Sequence, residues 1–101
     1  MRWIMDDSIH AGIGLSLAEM TVERGMTSEL HRHDNCGEVI YLQDGQIKQR
    51  IGDDWHELSA GDKCVIPPGF AHQTRNIGNV TAKMILVYQA GTRSYEALED
   101  L

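Results

Sequence analysis

The sequence predicts an all-β fold, a sandwich or barrel of short strands in one domain. Turn signals recur at short, even intervals: Arg24-Gly25, Asn35-Cys36-Gly37, Asp44-Gly45, Gly52-Asp53-Asp54, Ala60-Gly61-Asp62, Pro67-Pro68-Gly69, Ile77-Gly78-Asn79 and Ala90-Gly91. The runs between them are short and β-prone, and this punctuation is the signature of a sandwich or barrel. At 101 residues the chain is long enough for one core and too short for two, so 1–101 reads as a single domain.

The clearest strands are expected at 17–22, 38–43, 46–51, 55–58, 63–66, 73–76 and 80–88. Asp44-Gly45 is the strongest hairpin signal, joining 38–43 to 46–51, because a type I′ turn wants positive φ at both central residues. Pro67-Pro68 lacks the amides a central strand needs and so ends one. Trp3 and Ile4 suggest an exchanged or edge strand. The tail, 94–101, reads as one or two helical turns capped by Ser94, or as a frayed terminus.

Composition excludes several partners. Apolar residues make up 42% and charged residues 24%, as in ordinary soluble domains. A net charge of −6 disfavours nucleic acid and anionic membranes, which need a basic surface. No apolar run is long enough for a transmembrane helix, and Met1 to Ser8 does not resemble an export signal. Cys36 and Cys64 are therefore expected to be reduced thiols, and the expected location is the cytoplasm.

Three of the five histidines form a pattern with one glutamate. His31 and His33 are one residue apart, which on a strand puts both imidazoles on one face. Glu38 follows a four-residue loop, and a tight hairpin there would return it to the pair. His72 follows the Pro-Pro-Gly turn at the start of a later strand. Taken singly, each is an ordinary surface or core side chain. Together they make a mixed nitrogen and oxygen donor set suited to one divalent transition metal ion: Fe, Mn, Ni, Cu, Co or Zn.

Gly25, His31-Arg32-His33, Glu38 and Gly45, with five, four and six residues between them, resemble the complete first motif of the cupins. Gly61, Pro67-Pro68-Gly69, His72 and Asn76, with gaps of five, two and three, resemble the second. The two motifs and the segment between them span about half the chain. The resemblance implies a double-stranded β-helix, a jelly-roll-type barrel with one open mouth. It implies His31, His33, Glu38 and His72 as metal ligands. It also implies a homodimer, an arrangement that exposed apolar strand edges independently favour. The glycines and prolines read as turn makers, and Asn76 as a side chain that closes a turn on the backbone.

If Glu38 faces inward, alternation carries Ile40 and Leu42 inward and Val39 and Tyr41 outward. Thr74 shares the face of His72, and Met84, Leu86 and Tyr88 share another. Ile40, Leu42, Met84 and Leu86 are the candidate substrate pocket, with Phe70 at its mouth; ordinary core packing is the competing role. Cys36 is a packed residue, a metal neighbour or a redox thiol; Cys64 reads as core. Glu29 reads as a rim residue or an inward proton shuttle. His10 and His56 are expected at the surface. Four protein ligands leave open coordination positions, which favours an enzyme over a closed structural site. The leading expectation is a metal-dependent enzyme of the oxygenase (dioxygenase) type, an oxidoreductase acting on a small organic molecule. The alternative is a small-ligand- or metal-binding module without turnover.

Overall fold

A computed structural model describes residues 1–99, which form ten strands. They are β1 (Arg2–Met5), β2 (Ser16–Val22), β3 (His31–Arg32), β4 (Glu38–Asp44), β5 (Gln46–Ile51), β6 (Asp54–Ser59), β7 (Lys63–Ile66), β8 (His72–Asn76), β9 (Ala82–Tyr88) and β10 (Glu96–Ala97). One antiparallel sheet has the order β1-β2-β9-β4-β7, the other β10-β3-β8-β5-β6. The two sheets face each other as the halves of a double-stranded β-helix. No helix among the described residues is long and apolar enough to cross a membrane.

Strand alternation decides what the barrel encloses. Glu38, Ile40 and Leu42 of β4 point inward, as do Ala82, Met84, Leu86 and Tyr88 of β9. Register stacks them in layers: Leu42 beside Met84, Ile40 beside Leu86, Glu38 beside Tyr88. The facing sheet contributes Ile47 beside Asn76, Gln49 beside Thr74, and His72 beside His31. The barrel is therefore apolar at the Leu42, Met84, Ile47 end and polar at the Glu38, His72 end. Each large apolar side chain buried at the first end contributes about 1.5–3 kcal/mol, and this end holds the frame that positions the other.

Most strand expectations match to within two residues; three local readings do not. Asp44-Gly45 is not a hairpin, because β4 and β5 lie in different sheets. Only Gly45 has positive φ (94°), which rules out the two-residue type I′ conformation. The β4–β9 register shifts between Leu42 and Asp44, and this bulge turns the chain across to the second sheet. A side chain at Gly45 would meet the Ala82 Cα at 3.1 Å. The segment between His33 and Glu38 likewise crosses from one sheet to the other, so Glu38 meets the histidines across the barrel. Finally, Glu96–Ala97 forms a strand, and the expected helical turns do not form there. It pairs with β3, and Leu98 donates its amide to the Leu30 carbonyl at 2.9 Å. A free strand edge supplies hydrogen bonds that an isolated helical turn, costly to nucleate, does not. The last two positions of the proposed helix, Asp100 and Leu101, lie outside the described residues. Trp3 and Ile4 belong to an edge strand, β1, paired with β2 of the same chain.

Asn76 does what its place in the motif suggested. Buried at 3% exposure, it donates through Nδ2 to the carbonyls of Val22 (2.9 Å) and Val80 (2.8 Å) and accepts from the Gly78 amide (2.9 Å). Asn76→Ala leaves these backbone groups without partners and should cost about 2–4 kcal/mol. The check is a urea midpoint at unchanged slope; a loss below about 0.5 kcal/mol would show that water replaces the side chain.

Candidate metal centre

The four expected donors meet at the polar end of the barrel, all within 4.8 Å of one another. His31 lies on β3, His33 just beyond it, Glu38 at the start of β4 and His72 at the start of β8. His33, Glu38 and His72 are buried to 2%, 4% and 2% exposure, and His31 is half-buried.

Each imidazole is fixed in the same tautomer. His31 Nδ1 lies 2.7 Å from the Glu29 carbonyl, His33 Nδ1 2.7 Å from that of Ser94, and His72 Nδ1 3.0 Å from that of Phe70. A carbonyl only accepts, so each neutral ring carries its proton on Nδ1 and presents a bare lone pair at Nε2. His33 Nε2 and His72 Nε2 then each face Glu38 Oε1 at 3.2 Å. Glu38 Oε1 and His72 Nε2 are buried without a hydrogen-bond partner. Burial raises the Glu38 carboxyl, and positive charge shared with the His33 and His72 rings outweighs it and holds the group below the ordinary range, so the carboxylate is an anion where a proton or a metal ion bridges it to those rings. Lone pairs converging on a buried anion repel unless a cation sits among them. Metal bonds of about 2.0–2.2 Å put adjacent donors about 3 Å apart, so the 3.2 Å contacts fit a shared ion.

Burial, partly opposed by the Glu29 carbonyl, lowers the His31 pKa from 6.5 to about 4. The unfolded chain therefore binds a proton here before the folded one does. The contribution to stability is complete above pH 6.5 and is lost as pH falls from 6.5 towards 4. Chelator-treated protein should melt lower at pH 5 than at pH 7.5; equal midpoints would contradict this.

An open cavity of about 160 Å³ adjoins the donors. Ile40, Leu86, Thr74 and Tyr88 line it on the inside and Glu29, Arg93 and Tyr95 on the rim. Of the pocket expected from sequence, Ile40 and Leu86 line this cavity. Leu42 and Met84 do not; they lie in the apolar core cluster, a layer further from the donors. Phe70 is 48% exposed with its ring against Gly52, away from the lining, because the Pro-Pro-Gly turn aims it outside the barrel.

Cys36 is buried in the apolar cluster and outside the donor group, and burial followed by the Glu38 charge raises its thiol pKa. Cys64 is half-buried on β7, and the same causes push its thiol to about 11. Both are unbridged and protonated at neutral pH. Glu29 is exposed on the rim, and His10 and His56 are exposed at the surface.

Sequence reasoning missed the contribution of residues 92–95. Ser94 supplies the carbonyl that orients His33, and its hydroxyl accepts the Asp34 amide at 2.9 Å. Asn35 accepts the Ser94 amide at 2.8 Å. Tyr95 stacks on His31 (centroids 4.9 Å, planes 17° apart) and donates its hydroxyl to the Glu29 carboxylate. Arg93 stacks on Trp3, Tyr88 and Tyr95.

The comparisons agree with the double-stranded β-helix architecture. The Cupin domain family model matches residues 18–88, and the chain belongs to the cupin family. An uncharacterized protein of Methanocaldococcus jannaschii is 33% identical over 85 residues, 84% of this chain and 68% of that one. Among solved structures, an uncharacterized Klebsiella pneumoniae protein with a double-stranded β-helix domain superposes with a TM-score of 0.86 at 18% identity, over 99% of this chain and 84% of that one. An oxalate oxidase gives 0.85 at 22% identity, covering 93% of this chain and 52% of that one. Lactobacillus farciminis oxalate decarboxylase, as a formate complex, gives 0.86 at 26%, covering 95% and 30%. The chain thus spans about half the length of the oxalate oxidase it matches.

Proposed function

We propose that the chain is a metal-dependent enzyme of the oxygenase type acting on a small organic molecule. The observation that carries this reading is the donor cluster at an open cavity: three imidazole nitrogens and a carboxylate oxygen leave part of an ion's coordination sphere for substrate. A transition metal ion held there supplies Lewis acidity and, for a redox-active ion, the means to activate dioxygen. Ser94, Glu29 and Phe70 fix the ring orientations through their carbonyls. Ile40 and Leu86 give the substrate an apolar wall that limits water. The oxalate oxidase and decarboxylase folds support a catalytic use of such a barrel.

A second reading, a ligand- or metal-binding module without turnover, is favoured by one observation. Besides Glu38 itself, the cavity's carboxylate is Glu29, which sits on the rim and accepts from Tyr95. Dioxygen uptake by iron-loaded protein, offered enols, flavonols and thiols, separates the two. Uptake abolished in Glu38→Ala supports the enzyme; saturable binding without uptake supports the module.

The chain is further proposed to form a homodimer through the outer face of the first sheet. Val39, Val65 and Val87 sit side by side in register there, with Tyr41 and Ile85 in the next row. Val65 is 63% and Tyr41 43% exposed. An apolar patch on one sheet face suits a two-fold contact with a second copy. Light scattering should show a dimer that Val65→Asp turns into a monomer; a monomeric wild type would remove the proposal.

A further inference from the structure

We infer that Arg93 makes this cavity a receptor for small carboxylates, with the guanidinium binding the acid group beside the metal centre. This inference names a substrate class and rests on the metal-site reading above.

The guanidinium is held in place. It lies 5.1 Å from the Trp3 ring centroid, 5.2 Å from Tyr88 and 4.8 Å from Tyr95. Aromatic rings engage the faces of the planar group and leave its N–H edge for acceptors. Arg93 lines this cavity and a second one bordered by Trp3, Asp6 and Tyr95. Nη1 approaches His33 Nε2 at 3.4 Å, the same lone pair that completes the donor cluster. Among the described residues no carboxylate pairs with Arg93, although Arg2, Arg32 and Arg50 each contact one. An arginine fixed by three aromatic rings, half-buried, lining a cavity and without a carboxylate partner among the described residues is a built recognition group.

Charge points the same way. A divalent ion and Arg93 outweigh Glu38 and Glu29, so the cavity is positive inside a chain whose net charge is −6. An anion placed between ion and guanidinium satisfies both and relieves their mutual repulsion. The remaining lining limits its size and character. A volume of about 160 Å³ equals roughly five water molecules. Ile40 and Leu86 favour a short apolar body behind the acid group.

The test is calorimetric titration of manganese-loaded protein with pyruvate and with its neutral amide, alongside Arg93→Gln and Arg93→Lys. Metal content and thermal midpoint of each variant establish that site and fold are intact. The wild type should bind the acid about 10- to 100-fold more tightly than the amide, the range expected for a charge-assisted pair. Arg93→Gln should lose that preference, and Arg93→Lys should restore part of it. Equal affinity for acid and amide, or a preference unchanged in Arg93→Gln, overturns the inference while leaving the metal site standing. The same titration on chelator-treated protein separates the two readings. A weaker but Arg93-dependent preference for the acid supports the receptor role even where metal content fails; no preference in either form overturns it.

Discussion

Adding a divalent transition metal ion to chelator-treated protein, with free ion at 1,000 times its dissociation constant, should raise its thermal midpoint by more than about 15 °C, since that excess adds about 4 kcal/mol and each kcal/mol moves a domain of this size by roughly 4–8 °C. The reason lies in the geometry of the donor cluster. Three rings are locked as Nδ1–H tautomers by backbone carbonyls, so their Nε2 lone pairs face a buried carboxylate at separations as short as 3.2 Å. That arrangement destabilises the empty barrel and is relieved when an ion occupies it. Differential scanning calorimetry with and without chelator checks it. A shift below about 2 °C would mean that the donors do not act together on one ion.

Glu38→Gln should move the two forms of the protein in opposite directions. The amide can donate to one of the facing Nε2 atoms and carries no charge, so the repulsion at Glu38 Oε1 is removed. Chelator-treated variant should therefore be more stable than chelator-treated wild type, by about 1–3 kcal/mol. The metal-loaded variant should be less stable, because the amide is a poorer ligand. Its metal affinity should fall by more than the roughly 10- to 100-fold expected of an outer-shell change. Urea midpoints of four samples, each protein with and without metal, read both signs in one experiment. Destabilisation in both forms would assign Glu38 a purely structural role.

The fold and the donor cluster were legible in the sequence for different reasons. Strand positions followed from local chemistry: Pro67-Pro68 ends β7 at Ile66, and alternation from Glu38 placed Ile40 and Leu42 inside. The four donors followed from their spacing within two motifs, since His31 and His72 pair in register and Glu38 faces them from the other sheet. Sheet assignment was not legible. Asp44-Gly45 carries a hairpin signal, yet the strands it joins belong to different sheets, because β4 finds its partners in β7 and β9, both far along the chain. The rim was also hidden. Ser94 and Tyr95 begin a tail that reads locally as one or two helical turns or a frayed end, Arg93 just precedes it, and only the open edge of β3 makes a strand of Glu96–Ala97. The pocket was half legible: alternation identifies inward residues but not depth, so Leu42 and Met84 share a face with Ile40 and Leu86 yet lie away from the cavity.

The most direct test is the metal content of untagged protein purified without chelator or added metal, beside a Glu38→Ala, His72→Ala double variant. About one transition metal ion per chain in the wild type, absent from the variant, is the expected result. Substoichiometric metal that is the same in both proteins would contradict the four-ligand centre, and the barrel would then bind its partner without a metal.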